Sequence, residues 1–242
     1  MGTNKKTIEE YLDDLANWDD SSREEAAQIL GDIGDESVIE PLFDAFKNDD
    51  SEDVRAAIVR SLSKFDSSPI VPKTLGEIIV TETSPIVRVA IANAIGNLGN
   101  LQAARAMIQI LEQEESIWVR EAIIDSFGKL KNKEFVPIII QRFKSDDTEE
   151  VRIQAAKSLL KLADFLDLDD VLTLFDSEKS DMVKSYIVEI IAEIPDLKSV
   201  ELLSTALDDD DFSLTQAAAA EALHKIAVAL GYEDENDMMD SI

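Results

Sequence analysis

The sequence predicts an all-α chain, a right-handed α-α superhelix of about seven helical hairpins stacked as a solenoid. Three observations predict it. A Val-Arg phrase recurs at near-constant spacing along the chain. The apolar residues around each copy fall on one stripe of a helix. Glycine and proline are scarce, at 8 and 6 among 242 residues, and aromatic residues make up 6%, a composition that suits helices better than sheets.

The repeated pairs are Ser22-Arg23, Val54-Arg55, Val87-Arg88, Val119-Arg120, Val151-Arg152, Val183-Lys184 and Leu214-Thr215. The steps between their second members are 32, 33, 32, 32, 32 and 31 residues. Three residues further on stand Ala26, Ile58, Ile91, Ile123, Ala155, Ile187 and Ala218. Seven further on stand Leu30, Leu62, Ile95, Phe127, Leu159, Ile191 and Ala222. With offsets −1, 4 and 10 these positions trace one face of a helix, so each copy predicts an amphipathic helix B of about four turns.

Helix B starts where N-cap residues stand: Asp50-Ser51, Ser84, Ser116, Asp147-Thr148, Ser180 and Asp210-Asp211. Pro85 sits just inside one start, where its missing N–H costs nothing. Gly31 and Gly34, Gly96 and Gly99, and Gly128 read as helix ends. Between the B helices lies a second apolar set, such as Val38-Ile39-Leu42-Phe43-Phe46 and Val136-Ile139-Ile140-Phe143. Each such set predicts a helix A, with Pro41, Pro72 and Pro137 in three first turns. The units fall near 7–34, 37–66, 69–99, 101–131, 133–164, 166–195 and 198–230. One hairpin cannot bury both its faces, so the units stack. This reading makes 1–230 one continuous domain and 231–242 a disordered acidic tail.

Charge and composition then bound the function. Acidic residues number 51 against 23 basic ones, a net charge of −28. A nucleic-acid binder needs a basic footprint to displace counterions, and anionic membranes need the same, so neither partner is expected. The absence of cysteine removes disulfides, thiolate metal sites and thiol nucleophiles. No signal-peptide pattern opens the chain and no apolar run is long enough to span a membrane. A cytoplasmic monomer is the expectation. No phosphate loop, nucleophile elbow or metal-ligand pair occurs, so no catalytic residue, cofactor or metal is expected. His224 is the single histidine and reads as edge packing. The run Asp208 to Asp211 reads as a solvated turn with an N-cap, not as a calcium loop. Trp18 and Trp118 read as packing against neighbouring units.

Asp50-Ser51-Glu52-Asp53-Val54-Arg55-Ala56-Ala57-Ile58 and Pro85-Ile86-Val87-Arg88-Val89-Ala90-Ile91 through Gly96-Asn97-Leu98-Gly99 resemble the HEAT-like repeats of the phycobilin-lyase type. Val119 to Leu130 and Val151 to Leu162 are similar, the first unit lacks the Val, and the last two lack the Arg. The resemblance covers about residues 7–230 and is specific for fold. It implies a place among bilin lyase subunits, phycobilisome-degradation factors, and adaptor or assembly proteins. A di-iron hydroxylase with such repeats uses His-Glu pairs, which one histidine cannot supply. The resemblance also implies that the repeated arginines Arg55, Arg88, Arg120 and Arg152 pair with the acidic cap of the same or a neighbouring repeat. Asp50, Glu115 and Asp147, each five residues ahead of an arginine, are placed for that. The alternative is a row that binds phosphate or carboxylate.

Opposite the apolar stripe, at offsets 5 and 9, units two to five present Arg60 and Lys64, Asn93 and Asn97, Asp125 and Lys129, and Lys157 and Lys161. Five bases against one acid give a local charge of +4 in a chain of −28. In solenoids of this kind the B helices line the concave side, so the expected function is a noncatalytic scaffold, adaptor or assembly factor. It holds a partner protein in that groove through an acidic or polar segment. The alternatives are a bilin lyase or lyase-like subunit, on the resemblance, and a structural oligomerisation module.

Overall fold

The computed structural model describes residues 6–208 and 212–242. The opening Met1 to Lys5 and residues Asp209 to Asp211 of the acidic run lie outside them. Its contacts divide the chain into two compact units, Met1–Leu130 and Lys131–Ile242. The described residues form helices joined by turns, with no strand among them.

The first unit holds four hairpins: α1 (Ile8–Asp14) with α2 (Asp20–Ile33), α3 (Ile39–Asn48) with α4 (Glu52–Leu62), α5 (Ile70–Ile78) with α6 (Pro85–Leu98), and α7 (Leu101–Gln113) with α8 (Ile117–Lys129). The second holds three: α9 (Val136–Ser145) with α10 (Glu149–Leu160), α11 (Leu168–Ser177) with α12 (Asp181–Ala192), and α13 (Val200–Leu207) with α14 (Ser213–Leu230), followed by α15 (Glu235–Asp240). Each even-numbered helix packs on the next one of its unit, α2 on α4 on α6 on α8, and α10 on α12 on α14. The residues at offset 7 show why. Leu30, Leu62, Ile95 and Phe127 are fully buried in the first unit, and Leu159 and Ile191 in the second. Burial of such a side chain stabilises by roughly 1.5–3 kcal/mol, and the repeat places one in six of the seven B helices, with Ala222 in the last.

The helix starts follow local chemistry. Thr7 and Glu10 form a reciprocal capping box at α1, and Asp19, Ser84, Asn100 and Ser180 cap their helices through the side chain. Ser51, Ser116 and Thr148 hold cap positions without such a bond. There a carboxylate two residues earlier takes over, accepting from the backbone N–H of Ser51, Ser116 and Thr148. At α14 the cap position belongs to Phe212, and Asp181 of α12 accepts from the N–H groups of Leu214 and Thr215 instead.

Three expectations change. Of the glycines read as helix ends, Gly34 and Gly99 are left-handed C-caps at φ +71°, but Gly31 and Gly96 lie inside their helices. A Cβ on Gly31 would stand 2.7 Å from Ser61 Cβ, and one on Gly96 2.7 Å from Ser126 Oγ. These glycines let neighbouring B helices touch. At offset 10 the apolar stripe fades: Phe65 and Leu162 are buried, but Ile33 is 42% exposed and α4 already ends at Leu62. The segment read as a disordered tail carries α15. Asp234 caps it by accepting from Asp237 N–H, and Met238 is fully buried. Its acidity hid that one anchor.

Candidate functional site

The repeated arginines build a ladder. In the rungs of Arg23, Arg55, Arg88 and Arg152 the guanidinium holds the loop before its own helix and reaches a carboxylate in the next hairpin. Arg23 donates through Nε and Nη2 to Asp49 at 2.7 and 2.9 Å, and Arg55 to Glu82 at 3.3 and 3.2 Å. Arg88 reaches Glu114 through Nη2 alone, at 3.0 Å, and its buried Nε finds no partner among the described residues. In the second unit Arg152 donates to Glu178 at 2.9 and 3.4 Å. The remaining Nη1 donates to main-chain oxygens: Arg55 to Asp49 and Asp50, Arg120 to Glu114 and Glu115, Arg152 to Asp146 and Asp147.

Asp50 and Asp147 therefore meet their arginines through carbonyl oxygens. The charge partner is the acid six residues before the next repeat's Arg or Lys, not the acid five before its own. Geometry favours that acid because it also closes the inter-helix turn. Glu82 Oε1 accepts from the N–H groups of Thr83 and Ser84, and Glu178 Oε1 from those of Lys179 and Ser180. Burial by itself would raise the carboxyls of Asp49, Glu82 and Glu178. Hydrogen bonds from the arginine and the turn N–H groups outweigh it and hold all three below their ordinary range. Arg23 and Arg152 are raised, first by the hydrogen bonds to Asp49 and Glu178. These bonds to both sides leave little of the guanidinium to offer a ligand.

The B-helix face differs. Lys64 Nζ donates to Asp32 of the preceding hairpin at 2.6 Å, and Lys129 Nζ to Asn97 at 3.2 Å and Asp125 at 2.9 Å. In the second unit Lys225 reaches Glu193 at 2.6 Å, and Lys157 lies 5.0 Å from the Tyr186 ring centroid. Lys161 is exposed. Part of the positive charge expected on this face is thus spent internally. Arg60 is the exception: it is exposed and makes no ion pair with any described residue.

Arg60, Asn93 and Asn97 line one cleft of about 400 Å³ on α4, α6 and α8. Ile86, Val89 and Trp118 make its apolar wall. Trp118 is 72% exposed and Ile86 46%, and Trp18 elsewhere in the unit is 91% exposed. Neither tryptophan packs into the core, contrary to the sequence reading. The reason is register: Ile86 and Trp118 stand two residues before the repeated Arg, a solvent-side position that holds Asp53 and Glu150 in two other copies, Ser21 and Ser213 in two more, and the exposed Met182 in one. An apolar residue at a solvent register was the signal that could have found this cleft.

A second cleft, of about 360 Å³, lies on the B face of the second unit among Leu160, Glu189, Glu193, Glu221 and Lys225. Burial and then the nearby Glu221 charge push the Glu189 carboxyl up, against a smaller opposing pull from Lys157. His224 is exposed and its Nδ1 lies 3.2 Å from Glu235 Oε2. Among the described residues no group of three or more His, Cys, Asp or Glu is placed to hold a metal ion. No described helix is long and apolar enough to cross a membrane.

Known proteins show the same architecture. The chain is similar to the solved complex of CpcE and CpcF of phycocyanin lyase from Nostoc sp. PCC7120, at 18% identity and TM-score 0.56, covering 100% of this chain and 96% of that one. It is similar to YibA of E. coli at 15% identity and TM-score 0.66, over 98% and 91% of the two chains. A Kap121p mutant matches at 14% identity and TM-score 0.68, over 97% of this chain and 30% of that one. These likenesses establish the α-α superhelix class. Comparison with curated protein sequences returns no match. HEAT repeats are matched in the sequence itself over residues 8–75 and 72–160, and the chain belongs to the HEAT repeat family.

Proposed function

We propose that the chain is a noncatalytic scaffold or adaptor that holds a partner protein on its B-helix face, acting as a cytoplasmic monomer. The observation that carries this reading is the cleft of the first unit. Trp118 and Ile86 stand exposed on α8 and α6 beside Arg60 and Asn93. Exposed aromatic and arginine side chains around an apolar pocket have the composition of interface hot spots. The solved relatives support a protein partner: one is seen in a complex of CpcE and CpcF.

The test is affinity capture from the source cell extract with the tagged chain and its Trp118→Ala variant, at low and high salt. Captured protein is read by mass spectrometry and visible absorbance. A colourless protein held by the parent chain, and lost with Trp118→Ala while far-UV circular dichroism is unchanged, is the expected result. Equal capture by both chains would remove the cleft from the function. A bilin-coloured eluate would assign the chain to the lyase-subunit reading instead.

A further inference from the structure

The cleft on α4, α6 and α8 has a chemical bias that narrows its occupant. Acidic residues are 51 of 242 in this chain, and four other clefts each carry two or more carboxylates in their walls. The wall of this cleft carries none. It carries instead donors that no described group satisfies: the Arg60 guanidinium, the Asn93 amide and the Trp118 indole N–H. Of its two amide oxygens, Asn97 Oδ1 already takes the Lys129 ammonium at 3.2 Å. Ile86, Val89 and Trp118 supply apolar surface beside those donors.

We infer that this cleft binds a short acidic segment of a partner protein, in which a carboxylate lies within a residue or two of an apolar side chain. The apolar side chain stacks against Trp118, Ile86 and Val89. The carboxylate takes the paired N–H groups of Arg60, a geometry that guanidinium and carboxylate share and that lysine does not offer. Charge complementarity selects this occupant. A basic segment would be drawn to the carboxylate-lined clefts, and here it would leave Arg60 facing like charge. Arg60 makes the recognition, because Lys64 and Lys129 are tied to Asp32 and Asp125.

This inference rests on the protein-binding reading above, and its test separates the two. Random short peptides displayed on phage are selected against the intact chain. Enriched peptides are then synthesised and their affinities measured for the parent chain, Trp118→Ala, Arg60→Ala and Arg60→Glu. Both residues are exposed, so the fold is expected to survive, and circular dichroism checks it. The expected outcome is enrichment of Asp or Glu next to an aromatic or aliphatic residue. Affinity falls roughly tenfold or more with Trp118→Ala and with Arg60→Ala. Selection against Arg60→Glu then enriches Lys or Arg in the same place. Peptides that need Trp118 but neither acid nor Arg60 would overturn the inference and leave the binding face standing. Peptides indifferent to both residues would overturn the inference and the binding face together. A selection that enriches nothing would overturn the claim that a short segment suffices.

Discussion

Gly96→Ala tests how closely the B helices approach. A Cβ at this position stands 2.7 Å from Ser126 Oγ, 2.8 Å from Ser126 Cβ and 2.9 Å from Ser126 Cα. The last of these is backbone, so rotation of a side chain cannot relieve the contact and α6 must move from α8. Overpacking of a tight core costs about 1–3 kcal/mol. The same shift draws Ser126 Oγ away from Ala92 O and leaves its one hydrogen to Ala122 O, both now at 2.7 Å, a loss of up to about 1 kcal/mol. Alanine returns about 1 kcal/mol through helix propensity. The net expectation is a loss of about 1–3 kcal/mol, read by urea unfolding with far-UV circular dichroism. Gly99→Ala is the control. Nothing lies within 4 Å of its Cβ, but φ is +71°, so its loss of about 1–2 kcal/mol is a backbone cost. Asn should restore part of it at 99 and none at 96. A Gly96→Ala chain as stable as the parent would refute the close approach, and with it the reason for the repeated glycine and serine.

Other perturbations follow from the ladder and the second unit. Arg55→Ala strands the carboxylate of Glu82, 7% exposed, and is expected to cost about 2–3 kcal/mol in urea unfolding. Arg60→Ala, on the same helix but without a partner, should stay within about 0.5 kcal/mol, and equal costs would deny the ladder its role. Because Asp49, Glu82 and Glu178 are held below their ordinary values, their contribution is complete above about pH 4–5 and is lost as pH falls through the lowered values. Thermal melts should therefore drop steeply on the acid side, and Glu82→Gln should flatten that drop while lowering stability at neutral pH. Glu189 has the opposite sign: its raised carboxyl opposes folding once ionised. Glu189→Gln should raise the melting temperature at pH 7 and have no such effect at pH 3, and a lower melting temperature at pH 7 would refute the assignment.

The hairpins were legible in the sequence because burial repeats. Leu30, Leu62, Ile95 and Phe127 recur at one helical register and each is fully buried, so the period of the pattern is the period of the core. The ladder was legible in half. Arginine was visible as a repeat, but Asp50 and Asp147 stood at the more obvious spacing. The five-residue spacing fails at Arg88, where Thr83 stands, whereas an acid precedes Arg55, Arg88, Arg120, Arg152 and Lys184 by six residues every time. Glycine misled for a related reason. Gly96 and Gly99 are three residues apart and look like one signal, yet only Gly99 needs positive φ and only Gly96 needs the missing Cβ. Helix α15 was hidden because its burial rests on one side chain, Met238, in a strongly acidic segment.

The cleft was half legible to a search for repeats: offsets 5 and 9 picked out Arg60, Asn93 and Asn97, whereas Ile86 and Trp118 are departures from the repeat. The recurring positions are largely satisfied within the fold: Arg152 sits on Glu178, Glu82 on turn N–H groups, and Gly96 against Ser126. A group already committed to its own fold has little binding energy left for a partner. Recognition in such a chain must come from residues whose absence would not disturb the stacking. Trp118 replaces the charge that Asp53 and Glu150 place at its register, Ile86 does the same, and Arg60 stands where no carboxylate reaches it. None of the three contributes to the buried stripe, and each leaves water-exposed apolar surface or unmet N–H groups. Arg23, Arg55, Arg88 and Arg152 sit on carboxylates while Arg60 stays open next to an exposed tryptophan, and that exception is the ground on which we propose a site on the first unit's B helices.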